Sequence, residues 1–316
     1  MKPYLKLLSF IQVKSSLYDL NSTLEDLTTL AEEDNATDVL LSIDYKVNNI
    51  VIYLSHDDDM QNKEFITDAI RFNPIIIYEE SEIEMTSNYS VEFPPLRHLV
   101  FGGDGIQTFN LTASCTAGFW VLSRLNSTPY IMTAGHCSKL GPFNPDGSVD
   151  FYHLPWGTIE GNQLIGPMAP PNISVIDKGL ILKQNDSIGV IPSVRNTDDI
   201  DMPELKIIGT VDLDTVGSVV CKSGYVSHIS CGVVLSLNTK VFQGGRLYGG
   251  IAKVSMMPCR GDSGSPVFPL VPDLFPGIFI TGMLTSRHVA KGYCVVVPIE
   301  MLITDDIYVL TINDLI

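Results

Sequence analysis

The sequence predicts an all-β fold, a barrel or a sandwich, over residues 99–316, behind a smaller α+β unit over residues 1–98. Three observations carry this. From Leu99 onward, short β-branched runs alternate with Gly, Asn and Asp turns, the pattern of many short strands. No long amphipathic helix interrupts that span before Ile299–Leu302. Ahead of it the chain spells helix, strand, strand, helix, strand, and then a connector. With 316 residues and 45% hydrophobic composition, the chain can bury a full core and is not a disordered one.

Taken in order, Ser22-Thr23-Leu24-Glu25 is a capping box that opens a helix running to Glu33. Val39–Ile43 and Ile50–Leu54 are apolar runs joined by the turn Tyr45-Lys46-Val47-Asn48-Asn49, which makes a β-hairpin. Acidic Asp57-Asp58-Asp59 precedes a helix from Gln61 to Phe72, and Pro74–Tyr78 is a further strand, completing a ββαβ unit. Residues 79–98, glutamate-rich and carrying Pro94-Pro95, read as an exposed connector, the usual place for a proteolytic nick.

The net charge of −16 is uneven: residues 1–98 hold 18 acidic and 7 basic side chains, residues 99–316 hold 18 and 13. Such a balance argues against nucleic acid or an anionic membrane as a partner. No run has the length and purity of a spanning helix; Val267–Leu284 comes nearest but contains Asp273 and three prolines. Six cysteines (Cys115, Cys137, Cys221, Cys231, Cys259, Cys294) all lie after residue 114, and none shows C-x-x-C spacing. That predicts disulfides in an oxidising compartment and no metal site. Seven sequons, at Asn21, Asn35, Asn88, Asn110, Asn126, Asn172 and Asn185, fit a secreted glycoprotein. Met1-Lys2-Pro3 leads only to a short apolar stretch, Leu7–Val13, without a small-residue cleavage site. Secretion is expected nonetheless, by another route or from a longer gene product.

The chemistry is concentrated in two motifs. Cys259-Arg260-Gly261-Asp262-Ser263-Gly264-Ser265-Pro266 holds a serine between small residues, and Thr133-Ala134-Gly135-His136-Cys137 holds a histidine beside a cysteine. A serine hydroxyl needs an adjacent base to become a nucleophile. The small neighbours of Ser263 let the chain turn sharply, so that the N–H groups of Gly261 and Ser263 converge as an oxyanion hole. His56, His98, His153, His228 and His288 sit in no comparable frame. An acidic residue must hold the imidazole, and in a His…Asp…Ser order it lies between His136 and Ser263. Asp177 is chosen because Asp-Lys-Gly-Leu-Ile-Leu sets it just before an apolar strand. Its rivals are Asp146 and Asp150 in a Gly/Pro-rich loop, Asp186 in a sequon, and the acidic run Asp198, Asp199 and Asp201. No cofactor is implied.

These motifs, with Gly102-Gly103, Cys115-Thr116-Ala117-Gly118-Phe119 and Val220-Cys221-Lys222-Ser223-Gly224, resemble the chymotrypsin-like serine proteases, in particular the bacterial branch of α-lytic protease and the streptogrisins. The resemblance runs from Val100 to the end, and Ser42–Ile52 with the later strand is similar to the C-terminal part of that branch's pro-region. It implies two antiparallel six-stranded β-barrels with the active site in the crevice between them, a peptide or protein substrate, and a monomeric enzyme made with its own pro-region as partner. Six cysteines allow fifteen pairings; the resemblance implies Cys115–Cys137, Cys221–Cys231 and Cys259–Cys294. It also implies that Met257, Pro258 and Arg260 before the serine, and Thr285, Ser286, Arg287 and His288 after it, face the substrate. Two departures stand out. Lys222 replaces the arginine expected against Asp262, giving a point charge in place of a fork. Arg287-His288 stands where relatives carry small residues, so that the apolar floor offered by Met257 and Pro258 meets two bulky basic side chains.

Other readings remain open at this stage. A silent relative serving as a binding module need not keep serine, histidine and aspartate together. An esterase with the same groups would show the Gly-x-Ser-x-Gly elbow, which here lacks its final glycine and has no alternating helix–strand frame. Residues 1–98 are expected to be removed near Arg97–Val100; the alternative is an independent inhibitory or adhesive domain.

Overall fold

The computed structural model describes residues 13–55, 61–79, 98–109, 114–158, 163–171, 176–243, 246–255, 261–285 and 293–315. The N-terminal unit comprises α1 (Leu17–Glu33), β1 (Val39–Asp44), β2 (Asn49–Ser55), α2 (Lys63–Ala69) and β3 (Ile75–Glu79). The helix, hairpin, helix and strand fall where the sequence puts them to within a few residues, the expected Gln61–Phe72 helix ending in a 3₁₀ turn over Ile70–Phe72, and the largest difference is at the start of α1. α1 begins five residues before Ser22, because Ser16 caps it: the Ser16 side chain accepts from the Asp19 amide and the Asp19 carboxylate accepts from the Ser16 amide. Asp19 fills the position usually held by Glu or Gln. Leu20, Leu24, Leu27 and Leu30 then recur along one buried face and pack on the hairpin.

The rest of the chain is almost entirely strand: β4 (Leu99–Gly102), β5 (Gly105–Thr108), β6 (Ser114–Thr116), β7 (Phe119–Ser123), β8 (Pro129–Thr133), β9 (Val149–Leu154), β10 (Gln163–Met168) and β11 (Gly179–Leu182). It continues through β12 (Gly189–Arg195), β13 (Glu204–Thr210), β14 (Val219–Gly224), β15 (His228–Gln243), β16 (Arg246–Val254), β17 (Pro266–Pro269), β18 (Gly277–Ile280), β19 (Gly282–Leu284), β20 (Cys294–Pro298), α3 (Ile299–Leu302) and β21 (Ile307–Val309). Among the described residues no helix is long and apolar enough to cross a membrane.

Two curved sheets result. β14, β17, β19, β20, β16 and β15 follow one another, and β14 pairs again with β15, so six strands close into a barrel. The other half is an eight-stranded sheet, β21-β7-β8-β11-β10-β9-β5-β6, curled as a half-barrel. A four-stranded sheet, β18-β13-β12-β4, links the halves, and its β4–β12 and β13–β18 pairings are parallel. Trp120, Phe119, Phe151 and Phe268, all fully buried, anchor the shared core.

The N-terminal unit extends the closed barrel's sheet. β1 lies antiparallel along the outer half of β15, pairing Val39 with Phe242 through Ser42 with Thr239, and β2 and β3 follow it. Lys240 on β15 meets Glu25 of α1 at 2.8 Å. Lys253 of β16, buried, sits 4.0 Å from the Tyr53 ring centroid and 4.3 Å from that of Tyr293, and bonds the Tyr53 hydroxyl.

Candidate functional site

Pairing of β8 with β11 brings the histidine and its acid together. Gly179 stands opposite Thr133, so Asp177, two residues before the strand, faces the chain just beyond β8. That chain is a 3₁₀ turn, Gly135–Leu140, carrying His136. A Cβ at Gly179 would approach Met168 Sδ to 2.6 Å and Gly135 Cα to 3.2 Å, so the glycine lets the two elements lie this close without displacing Met168. The Cys115–Cys137 disulfide ties the histidine turn to β6.

The serine turn is built by its glycines. Gly261 has φ +84° and Gly264 φ +98°, the left-handed region that glycine enters without penalty. Neither position has room for a side chain: a Cβ at Gly261 would stand 2.4 Å from Val226 Cγ2, and one at Gly264 2.2 Å from the Thr116 carbonyl oxygen. Ser265 closes the turn, its amide and hydroxyl both donating to the Asp262 carbonyl at 2.9 and 2.6 Å. The Asp262 carboxylate, fully buried, receives Lys222 Nζ at 2.6 Å, the Val226 amide at 2.8 Å and the Ser227 amide at 3.3 Å, and Ser227 Oγ bonds it as well. The lysine in place of arginine therefore finds the partner the sequence assigns, with Ser227 sharing the charge.

With both turns formed, three side chains line up. His136 Nε2 lies 3.1 Å from Ser263 Oγ, and His136 Nδ1 lies 2.6 Å from Asp177 Oδ2. The other Asp177 oxygen accepts the His136 backbone amide at 2.7 Å. The rival acids point elsewhere: Asp146 accepts from Ser148, Asp150 from Asn144, and Asp199 from the amides of Asp201 and Met202. Asp186 is fully exposed opposite Lys183, and Asp198 binds His228. A hydroxyl, an imidazole and a carboxylate in this sequence can move one proton off a nucleophile and return it to a leaving group.

Cys221 and Cys231 are joined across β14 and β15, where they face each other in register. Cys294 is also disulfide-bonded; Cys259 lies outside the described residues. Of the residues expected to face the substrate, Thr285 is buried and its amide donates to the Val295 carbonyl at 2.9 Å. Met257, Pro258, Arg260, Ser286, Arg287 and His288 lie outside the described residues.

One cluster is absent from the sequence reading. Behind β6, the buried Asp104 carboxylate accepts His153 Nε2 at 2.9 Å, the Phe101 amide at 2.9 Å and Arg195 Nη2 at 3.1 Å, with Arg195 Nε completing a fork. Burial opposes ionisation of Asp104, but the Arg195 charge and the bonds from His153 and Arg195 outweigh it and hold its pKa below the ordinary carboxylate value. A carboxyl depressed in this way contributes stability that is complete above the unfolded value, near 3.8, and is lost as pH falls through the folded one. Asp104→Asn, made in an inactive Ser263→Ala background, is therefore expected to lose about 3–5 kcal/mol at neutral pH. The gap from its parent should narrow below pH 4 in urea titrations. A gap constant down to pH 2 would show that the charge contributes nothing.

No family model matches the sequence. Solved structures similar to the chain include bacterial chymotrypsin-like serine proteases. They include a glutamic acid-specific serine protease described as using a histidine triad in substrate binding, at 19% identity and TM-score 0.50 over 64% of this chain and 95% of that one. Protease A of Thermobifida fusca matches at 21% identity and TM-score 0.49, over 65% and 94% of the two chains. The α-lytic protease homolog N4 matches at 18% and 0.48, over 65% and 95%. The likeness is one of architecture: one closed six-stranded barrel beside a curled half-barrel sheet gives the chain the chymotrypsin-like fold, with the first of the two expected barrels left open.

Proposed function

We propose that the chain is a serine endopeptidase, made as a pro-protein and acting through Ser263, His136 and Asp177. The observation that carries this is the unbroken relay from Asp177 through His136 to Ser263, at 2.6 and 3.1 Å; the left-handed glycines at 261 and 264 support a turn that offers the Gly261 and Ser263 amides to an oxyanion. Ser263 Oγ bonds to the scissile carbonyl carbon while its proton passes to His136 Nε2, and the carbonyl oxygen takes the displaced electron pair. The two amides stabilise that oxyanion. His136 then gives the proton to the departing amine as the C–N bond breaks, leaving an acyl-enzyme. Water repeats the sequence with the same proton path and releases the carboxylic acid. Asp177 accepts from Nδ1–H throughout, holding the tautomer in which Nε2 is free to accept. Incubating the mature chain with a peptide library, against Ser263→Ala as the blank, tests the reading: cleavage by the wild type alone is expected.

Residues 1–98 we read as the pro-region. Barrels that pair distant strands close long loops before contacts reward them, so they fold slowly. An attached sheet that pairs with β15 supplies a template at that step, and the β1–β15 ladder and the Glu25–Lys240 pair support this role. Val100 is buried in β4, which moves the expected cut toward the N-terminal side of Arg97–Val100. The disulfides support secretion into an oxidising compartment. Refolding residues 99–316 from denaturant with the separate 1–98 fragment should yield far more active enzyme than refolding without it, by at least about tenfold given the slow topology. Equal yields in the two tubes would end this role.

A further inference from the structure

We propose that Thr116 is a positioning residue for the oxyanion loop, its hydroxyl fixing the Gly261–Asp262 peptide, and through it the left-handed glycine, from the neighbouring half of the molecule; this rests on the serine-peptidase reading above. Thr116 is fully buried at the end of β6. Its amide donates to the Ser263 carbonyl at 2.8 Å, and its hydroxyl donates to the Gly261 carbonyl at 3.2 Å. The same hydroxyl accepts the Tyr225 amide at 3.1 Å, and the Thr116 carbonyl accepts Thr133 Oγ1 at 2.8 Å. One residue thus holds the Gly261 and Ser263 carbonyls, which lie in the peptide units directly after the two amides read as the oxyanion hole.

The need for such a hold follows from the glycine. Gly261 must be glycine to reach φ +84° beside Val226, but glycine is also the residue least able to keep one conformation by itself. Its direction has to be imposed from outside. The hydroxyl can impose it because its own orientation is settled. A threonine hydroxyl has a single hydrogen to give; the Tyr225 N–H occupies one lone pair, and the hydrogen is left for the Gly261 carbonyl. Tyr225 also opens the turn whose next two amides hold Asp262, so Thr116 couples β6, the oxyanion loop and the support of Asp262.

Preorganised donors act on charge that develops only in the transition state, so loosening them should lower kcat and spare KM. Removing a single oxyanion donor costs on the order of 10²–10³-fold in kcat; loss of a positioning bond should cost less, about 10- to 100-fold. The experiment uses the full-length chain, matured, with rates normalised to Ser263 titrated by a phosphonate. Wild type is measured first, then Thr116→Val, which keeps the shape, and Thr116→Ser, which keeps the hydroxyl. Thr116→Val should lose kcat with KM changed by less than about 3-fold. Its Ki for a peptidyl boronic acid, which forms a tetrahedral adduct on Ser263, should rise by the same factor as kcat/KM falls. Thr116→Ser should recover most of the loss. If Thr116→Val does not fold, Thr116→Ala carries the same comparison. An unchanged kcat, a loss confined to KM or to thermal stability, or a serine variant as impaired as the valine one would overturn the positioning role while leaving the peptidase reading intact. A wild type that cleaves no peptide would overturn the peptidase reading, and the positioning role with it.

Discussion

Ser263→Ala is expected to abolish peptide cleavage, by at least about 10⁴-fold in kcat, while the protein folds, keeps its disulfides and still binds peptide. The size follows from the relay. With the hydroxyl gone, His136 Nε2 loses the nucleophile held 3.1 Å away whose proton it would take. What survives is the residual stabilisation from the two backbone amides and from substrate binding, which in enzymes of this type leaves about 10³–10⁴-fold over water. The substitution removes one oxygen from a side chain that is only 5% exposed, in a turn held by Ser265, Thr116 and Lys222 contacts that do not involve it, so stability should change little. The readout is cleavage of a peptide library by the mature wild type, sequenced at the new N-termini, with the alanine variant in parallel. Matching digests from both proteins would sink the nucleophile assignment. No cleavage by either would favour the silent binding module.

Much of this site is legible in the sequence because small residues are informative there. Gly261 and Gly264 are forced by positive φ and by neighbours closer than a side chain tolerates, so the motif around Ser263 records the turn directly. The hairpin of the N-terminal unit is legible for a similar reason, since polar Asn48-Asn49 interrupts two apolar runs. Asp177 is marked in the sequence by its place before an apolar strand, and it is the acid that lies 2.6 Å from His136 Nδ1. Strand partners are another matter: periodicity tells that a segment is extended, not which neighbour it takes. The parallel pairings β4–β12 and β13–β18, and the curl of the first half into an eight-stranded sheet, leave no local mark.

The same limit hides the polar network behind β6. Asp104, His153 and Arg195 are separated by 49 and 91 residues from the carboxylate to its two partners, and each alone looks like an ordinary charged side chain at a strand end. Thr116 lies inside a motif read for its cysteine and glycine, and nothing in Cys-Thr-Ala-Gly-Phe says that the hydroxyl reaches across to Gly261. α1 began early for a smaller reason: Ser16 and Asp19 make a capping box with aspartate in the third position, and a search for Glu or Gln passes over it.

Asp177→Asn should be nearly as damaging as loss of the serine, with turnover down by about 10⁴-fold, although the substitution changes one atom and no volume. The reason lies in the two bonds the carboxylate accepts. Oδ1 takes the His136 backbone amide at 2.7 Å and Oδ2 takes Nδ1–H at 2.6 Å, so both oxygens are acceptors facing donors. Asparagine offers one oxygen and one NH₂. The backbone amide cannot reverse its role, so it claims the oxygen. The NH₂ is then left facing Nδ1, which must become the acceptor, and the ring proton moves to Nε2. That proton points at Ser263, and a protonated Nε2 in a neutral ring can neither accept from the hydroxyl nor act as its base. The variant should therefore fold normally, bind peptide with a KM close to wild type and fail in kcat. Asp146→Asn and Asp150→Asn serve as controls, because those carboxylates accept from Ser148 and Asn144, and should stay within about 2-fold of wild type, as expected for substitutions away from the reacting groups. A crippled Asp150→Asn beside an active Asp177→Asn would transfer the role to the wrong loop and reject the relay; full activity in all three would leave His136 without an acidic partner in the mechanism.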